Sequence, residues 1–105
     1  MQVNEILSVA AVPAREAEFP SAPELFAVWF DSTEADGADQ EVNLITHDCT
    51  VELYAPLIAE GNAARQRILA QLKSRGIHYT TQGWYWLKNI SRYQEIIEFT
   101  HIEKT

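Results

Sequence analysis

Ile45-Thr46-His47-Asp48-Cys49-Thr50-Val51-Glu52-Leu53-Tyr54 is the stretch from which the fold class can be read. Ile45, His47, Cys49, Val51 and Leu53 fall on one side of an extended chain, and Thr46, Asp48, Thr50, Glu52 and Tyr54 on the other. That two-residue period is the mark of a strand with one buried face. Pro56 ends it, because proline donates no ladder hydrogen bond. Upstream, Leu25-Phe26-Ala27-Val28-Trp29-Phe30 is a continuous apolar run between Pro23 and Asp31. It is short for a helix and rich in aromatics, which predicts a strand covered on both faces. Residues 31–43 separate the two runs. They hold Asp31, Glu34, Asp36, Asp39 and Glu41, a single glycine (Gly37) and no apolar period, and read as a loop.

Two helices flank this pair. Val3, Ile6, Leu7 and Ala10 have the spacing of one buried helical stripe, which Pro13 should stop. Residues 59–75 give the second helix. Ala64, Ile68 and Leu72 form its apolar row, Leu69 widens it, and Arg65, Lys73 and Arg75 lie around it. Gly76 follows a basic last turn, as expected where a helix ends in a left-handed residue. Residues 14–22 carry Pro20 and suit a short edge strand, where proline is tolerated. Residues 77–80, 84–90 and 93–102 read as three further strands, with Gly83 at a turn. In the last of them Tyr93, Ile97 and Phe99 share a face, and Ile96 and Ile102 take the other. Short connections favour antiparallel neighbours, so the expectation is an α+β fold: a mostly antiparallel β-sheet with two α-helices packed on one face.

The chain has 105 residues, 47% of them hydrophobic, which suits one domain over residues 1–105 and excludes global disorder. A compact domain of this length has a radius of gyration of about 13 Å. The net charge of −7 argues against nucleic acid or an anionic membrane as the main partner, since phosphate contacts need basic surface. A lone Cys49 makes no internal disulfide and points to a reducing compartment. No apolar run approaches the roughly 18 residues of a membrane span, and Met1-Gln2-Val3-Asn4-Glu5 lacks the basic start of a signal peptide. A soluble intracellular product is expected.

Chemistry is sparse. With Gly37 at the glycine position of an EF-hand loop, Ser32 takes the first place and Asn43 the twelfth, where a bidentate glutamate is required, so that motif fails. Asp36, Asp39 and Glu41 are a looser group of carboxylates, better read as a solvated or partner-docking loop. His47 and Cys49 share a strand face, the minimum for a cysteine nucleophile, yet no orienting group is identifiable and the same face is apolar. His47, His78 and His101 sit on three separate strands without the close pairs of a zinc site. Trp84-Tyr85-Trp86 would make a ligand platform only if it were not core or interface. These features predict no enzyme activity, no metal and no cofactor.

Charge is the unusual property. Residues 1–60 hold all but three of the 15 acids, with Arg15 as their single base. Residues 61–105 hold Glu95, Glu98 and Glu103 against Arg65, Arg67, Lys73, Arg75, Lys88, Arg92 and Lys104. The halves carry −11 and +4. A negative edge near Asp36, Asp39 and Glu41 and a positive one near Arg65, Arg67 and Arg75 would suit head-to-tail contact between subunits, with charge setting orientation and encounter rate.

The succession Ala27-Val28-Trp29-Phe30, a polar loop with Ala38-Asp39, Val51-Glu52-Leu53-Tyr54, a helix, Gly76-Ile77-His78-Tyr79 and Tyr93-Gln94-Glu95-Ile96-Ile97-Glu98-Phe99 resembles small proteins encoded among the head–tail joining genes of long-tailed bacteriophages and prophages. The likeness is to the tail terminator (tail completion, tail-to-head joining) family in particular, and spans nearly the whole chain. It rests on strand patterns and contains no reactive residues. What it implies is a structural, non-enzymatic α+β subunit of a hexameric ring. Such a ring caps the tail tube, ends its polymerisation and joins tail to head. The partners would be further copies of the chain, the tail tube protein and the head connector or stopper. The location would be the tail or neck of the virion, after assembly in the bacterial cytoplasm. The family makes ring and tube contacts with sheet edges and with the loop between its early strands, here residues 31–43, with Asp39 the best-matched position. The Ala14–Ala22 segment fits the family pattern poorly. Alternatives are another neck component, such as a head-closure or stopper protein, and a small acidic monomeric inhibitor or binding module.

Overall fold

A computed structural model of the chain describes residues 2–36 and 44–104. The elements are α1 (Gln2–Val9), β1 (Ala14–Glu16), β2 (Phe26–Asp36), β3 (Leu44–Ala55), α2 (Ile58–Ser74), β4 (Tyr79–Thr81), β5 (Tyr85–Leu87) and β6 (Arg92–Lys104). They form one sheet in the order β1-β2-β3-β6-β4, and β5 also pairs with β6. Every pairing is antiparallel except β1 with β2, which is parallel. The fold is α+β, mostly antiparallel, with both helices on one face.

That face is built from alternate residues of the three long strands. Ala27 pairs with Leu53 and Leu53 with Glu95, and Trp29 pairs with Val51 and Val51 with Ile97. Ile6 and Leu7 of α1 and Ala64, Ile68 and Leu72 of α2 close over these rows with no exposed surface. Burying a side chain of leucine or isoleucine size contributes about 1.5–3 kcal/mol, so this cluster supplies most of the driving force for folding. Both helices end in the same way. Ala11 (φ +57°) and Gly76 (φ +70°) are left-handed, and the next residues, Val12 and Ile77, donate back to Leu7 O and Leu72 O. That double closure satisfies the last carbonyls of each helix. It also stops α1 before Pro13 is reached.

Four expectations are corrected. Residues 31–43 are not a loop throughout: β2 runs to Asp36 in unbroken register with β3, from Phe26↔Tyr54 to Asp36↔Leu44. The second face of β2 is covered in part. Val28 is buried, but Phe30 keeps 41% of its surface. The cover there is residues 17–25, whose Phe19 meets Phe26 edge-on at 5.7 Å while Phe26 stacks on Tyr54 at 4.7 Å. The strand expected over residues 84–90 shrinks to Tyr85–Leu87. The radius of gyration is 14.8 Å, because strands of 11 to 13 residues outrun the helices and stretch the molecule to 49 × 27 × 22 Å.

Trp84 explains the short β5. Its indole lies against Gly61 in α2, where an added Cβ would stand 2.6 Å from Trp84 Cζ2 and 3.0 Å from Ala55 Cβ. Its Nε1 donates to Asn62 Oδ1 at 2.7 Å. The ring is pinned to the helix and leaves the strand.

Replacing a helical glycine by alanine ordinarily adds up to about 1 kcal/mol of stability. Here Gly61→Ala should instead lower it by about 1–2 kcal/mol in urea denaturation, because the indole is displaced. An unchanged or raised midpoint would show that the indole swings clear at no cost.

Candidate functional site

Beyond the row Asp31–Cys49–Phe99, β2, β3 and β6 continue as a three-stranded arm. Thr33, Asp48, Thr100, Ile102 and Glu103 are exposed there. Among the described residues, β1 pairs with β2 only through Trp29. On the far side, β4 pairs with β6 only through Phe99. Among the described residues, both outer edges of the arm are therefore without a paired strand. A groove of about 830 Å³ reaches across β3 and β6, lined in part by Asp48, Cys49, Phe99 and His101 and by Arg75 and His78. A smaller hollow of about 530 Å³ flanks β2 at Phe30, Asp31 and Ser32.

At the root of the arm His47 links all three strands. Its Nδ1 lies 2.9 and 3.1 Å from the two carboxylate oxygens of Asp31 on β2, and its Nε2 lies 3.5 Å from Glu103 Oε1 on β6. His101 stacks on the ring at 5.7 Å. Carboxylates only accept, so both nitrogens are answered fully when both carry protons. The hydrogen bond to Asp31 is the largest influence holding the His47 pKa above its ordinary 6.5, against the opposing effect of burial. Cys49 Sγ points to the same Asp31 oxygen at 3.9 Å. Burial first, then the Asp31 charge, pushes its thiol up to about 12. The carboxylate thus stands where a nucleophilic pair would need thiol and imidazole in contact, and it disfavours the thiolate. Among the described residues, no three His, Cys, Asp or Glu side chains converge to hold a metal ion.

The residues singled out for subunit contact divide into two groups. Asp36 is the last residue of β2, at the far end of the arm. Asp39 and Glu41 lie outside the described residues. The three arginines all have partners within the chain. Arg65 Nε is 3.4 Å from Glu95 Oε2, and its guanidinium donates to Thr81 Oγ1. Arg67 Nε donates to Ala10 O at 2.7 Å, tying α2 to the end of α1. Arg75 lies 3.6 Å from Glu5. These contacts tie α2 to β6, to β4 and to α1. The pattern of residues had given no hint of Glu95, which has no exposed surface; an acid between Tyr93 and Ile97 on the covered face was the available signal. Nor do the aromatics form a platform. Trp84 rests on α2, and Trp86 meets Tyr93 edge-on at 4.8 Å.

The chain matches no protein-family model and no curated protein. Among the described residues, no helix is long and apolar enough to cross a membrane.

Two measurements check the cluster at the root of the arm. Cys49 should resist alkylation at neutral pH in the folded protein and react readily in urea; rapid labelling of the native form would contradict the raised thiol pKa. A raised His47 pKa means that the folded chain holds this proton more tightly than the unfolded one. The stability it contributes is complete below 6.5 and lost as pH climbs through the raised value. The urea midpoint of His47→Asn should therefore trail the parent most near about pH 6 and least near about pH 9. A gap independent of pH would remove the protonated clamp.

Proposed function

We propose that this chain is a ring-forming structural subunit of a long-tailed phage or prophage. In this reading it is the tail terminator, which caps the tail tube, ends its polymerisation and presents a surface to the head connector. The observation that carries the reading is the arm, with two different open edges on opposite sides of one subunit. Unlike surfaces on one chain support heterologous contact, the kind that closes into rings. The strand succession that resembles the terminator family lies on β2, β3, the turn after α2, and β6. Its partners would be further copies of the chain, the tube protein and the head connector or stopper, in the neck of the virion.

Light scattering over a range of protein concentrations, alone and with purified tail tubes, tests the reading. A mass of six subunits, or a shift from one towards six when tubes are added, is expected. A strict monomer under every condition, tubes included, would overturn it in favour of an acidic binding module.

A further inference from the structure

We infer that the groove at the C-terminal end of α2 binds a small aromatic carboxylate, its ring packed against Tyr79 and Phe99 and its carboxylate on Arg75. This is a property of the single subunit and stands apart from the assembly reading above.

The apolar part of the site comes from strand register. On the helix-bearing face of the sheet, Asp31, Cys49, Phe99 and Tyr79 form one row through β2, β3, β6 and β4. The groove of about 830 Å³ is lined there by Cys49, Phe99 and Tyr79, and by Ile77 just after α2. Cys49, Ile77 and Phe99 are buried, whereas Tyr79 keeps 38% of its surface. Cys49 brings no charge, because burial and the Asp31 carboxylate keep it a neutral thiol. A hollow of this size, with apolar walls and a few polar groups, suits a small organic ligand.

The polar part is Arg75, the C-cap of α2, which lines the groove with His78 and His101. Its Nε is buried and has no hydrogen-bond partner among the described residues. Native proteins leave few buried donors unanswered. The acid facing this guanidinium is Glu5, 3.6 Å from Nη2 and 65% exposed. A pair so long and so wet holds the side chain weakly. It lets the guanidinium swing towards the groove, where its planar fork can take a carboxylate through two parallel hydrogen bonds.

The neighbouring acids do not take that place. Asp48 accepts from Thr100 Oγ1 and Glu98 from Gln82 Nε2. Both alternate with Cys49 and Phe99 and so belong to the other face. Asp31 and Glu103 face His47. Each has a donor or a cation of its own. Charge then narrows the ligand. A cation would meet the guanidinium, and a neutral aromatic would leave its donors unanswered. A doubly charged phosphate would bring more charge than one arginine balances beside Glu5. A single carboxylate matches it, and each neutral imidazole adds an N–H.

NMR titration of the full-length protein with cinnamate tests the site. A dissociation constant of about 3 mM or below is expected, with the largest shifts at Arg75 Nε–H, Ile77, Tyr79 and His101. Cinnamyl alcohol, the neutral counterpart, should bind at least about tenfold more weakly, and so should cinnamate to Arg75→Gln. Glu5→Gln removes the competing acid from an exposed position and should tighten cinnamate binding about twofold or more. No saturable shift up to about 20 mM cinnamate, shifts centred elsewhere, or equal binding of the alcohol would overturn the inference. If Arg75→Gln does not fold, Glu5→Gln decides alone: binding no tighter than the parent's would overturn it as well.

Discussion

The carboxylate of Glu95 has no contact with solvent, and the chain around it is arranged to answer its charge. One oxygen accepts from the consecutive backbone N–H groups of Gln82 and Gly83, at 2.9 and 2.8 Å. Gly83 is left-handed at φ +92°, a conformation that glycine adopts at little cost and that lets both donors point one way. The other oxygen faces the Arg65 guanidinium on α2, which also reaches Thr81. An ion removed from water without such partners would cost several kcal/mol. Sheet, turn and helix are therefore bound at one point. Just beyond it Trp84 comes to rest on Gly61 of α2.

The arm has a separate origin. Helices cover the sheet only as far as the apolar alternation lasts, from Ala27 to Trp29 and from Cys49 to Leu53. Beyond it, polar residues take over without ending the strands. Backbone pairing between β2 and β3 does not depend on what the side chains are. The most dangerous of them, Asp31, is met by His47, two residues away on the diagonal of the neighbouring strand. The arm is a sheet held by its hydrogen bonds and by one histidine cluster, with little core of its own.

These facts also mark how far a reading of residues could go. The alternation of β3 was visible because one face is buried along its middle. The stripes of α1 and α2, and Gly76 as a helix end, were visible for the same reason: each reflects a local period or a local backbone demand. The continuation of β2 through Ser32-Thr33-Glu34-Ala35-Asp36 was not, since a run of acids looks like a loop until its partner strand is known. Glu95 stood where the period calls for an apolar side chain, and its partners are 12, 13 and 30 residues away in sequence. The contacts that Arg65, Arg67 and Arg75 make within the chain were hidden for a similar reason. Their acceptors, from Glu5 to Glu95, come close only once α2 has docked.

The order of strands in the sheet has a consequence for how the molecule is made. β6 follows every other element in the chain yet lies inside the sheet, between β3 and β4. Its contacts with β3 join residues 38 to 60 positions apart, from Ala55↔Tyr93 to Leu44↔Lys104. Such long loops are closed late and slowly. During synthesis α1, the β2–β3 hairpin and α2 leave the ribosome first, with β3 unpaired on one side and the place of Glu95 beside Arg65 still empty. The arm is completed only when β6 arrives, so a chain that has emerged only as far as α2 holds a two-stranded sheet edge in its place.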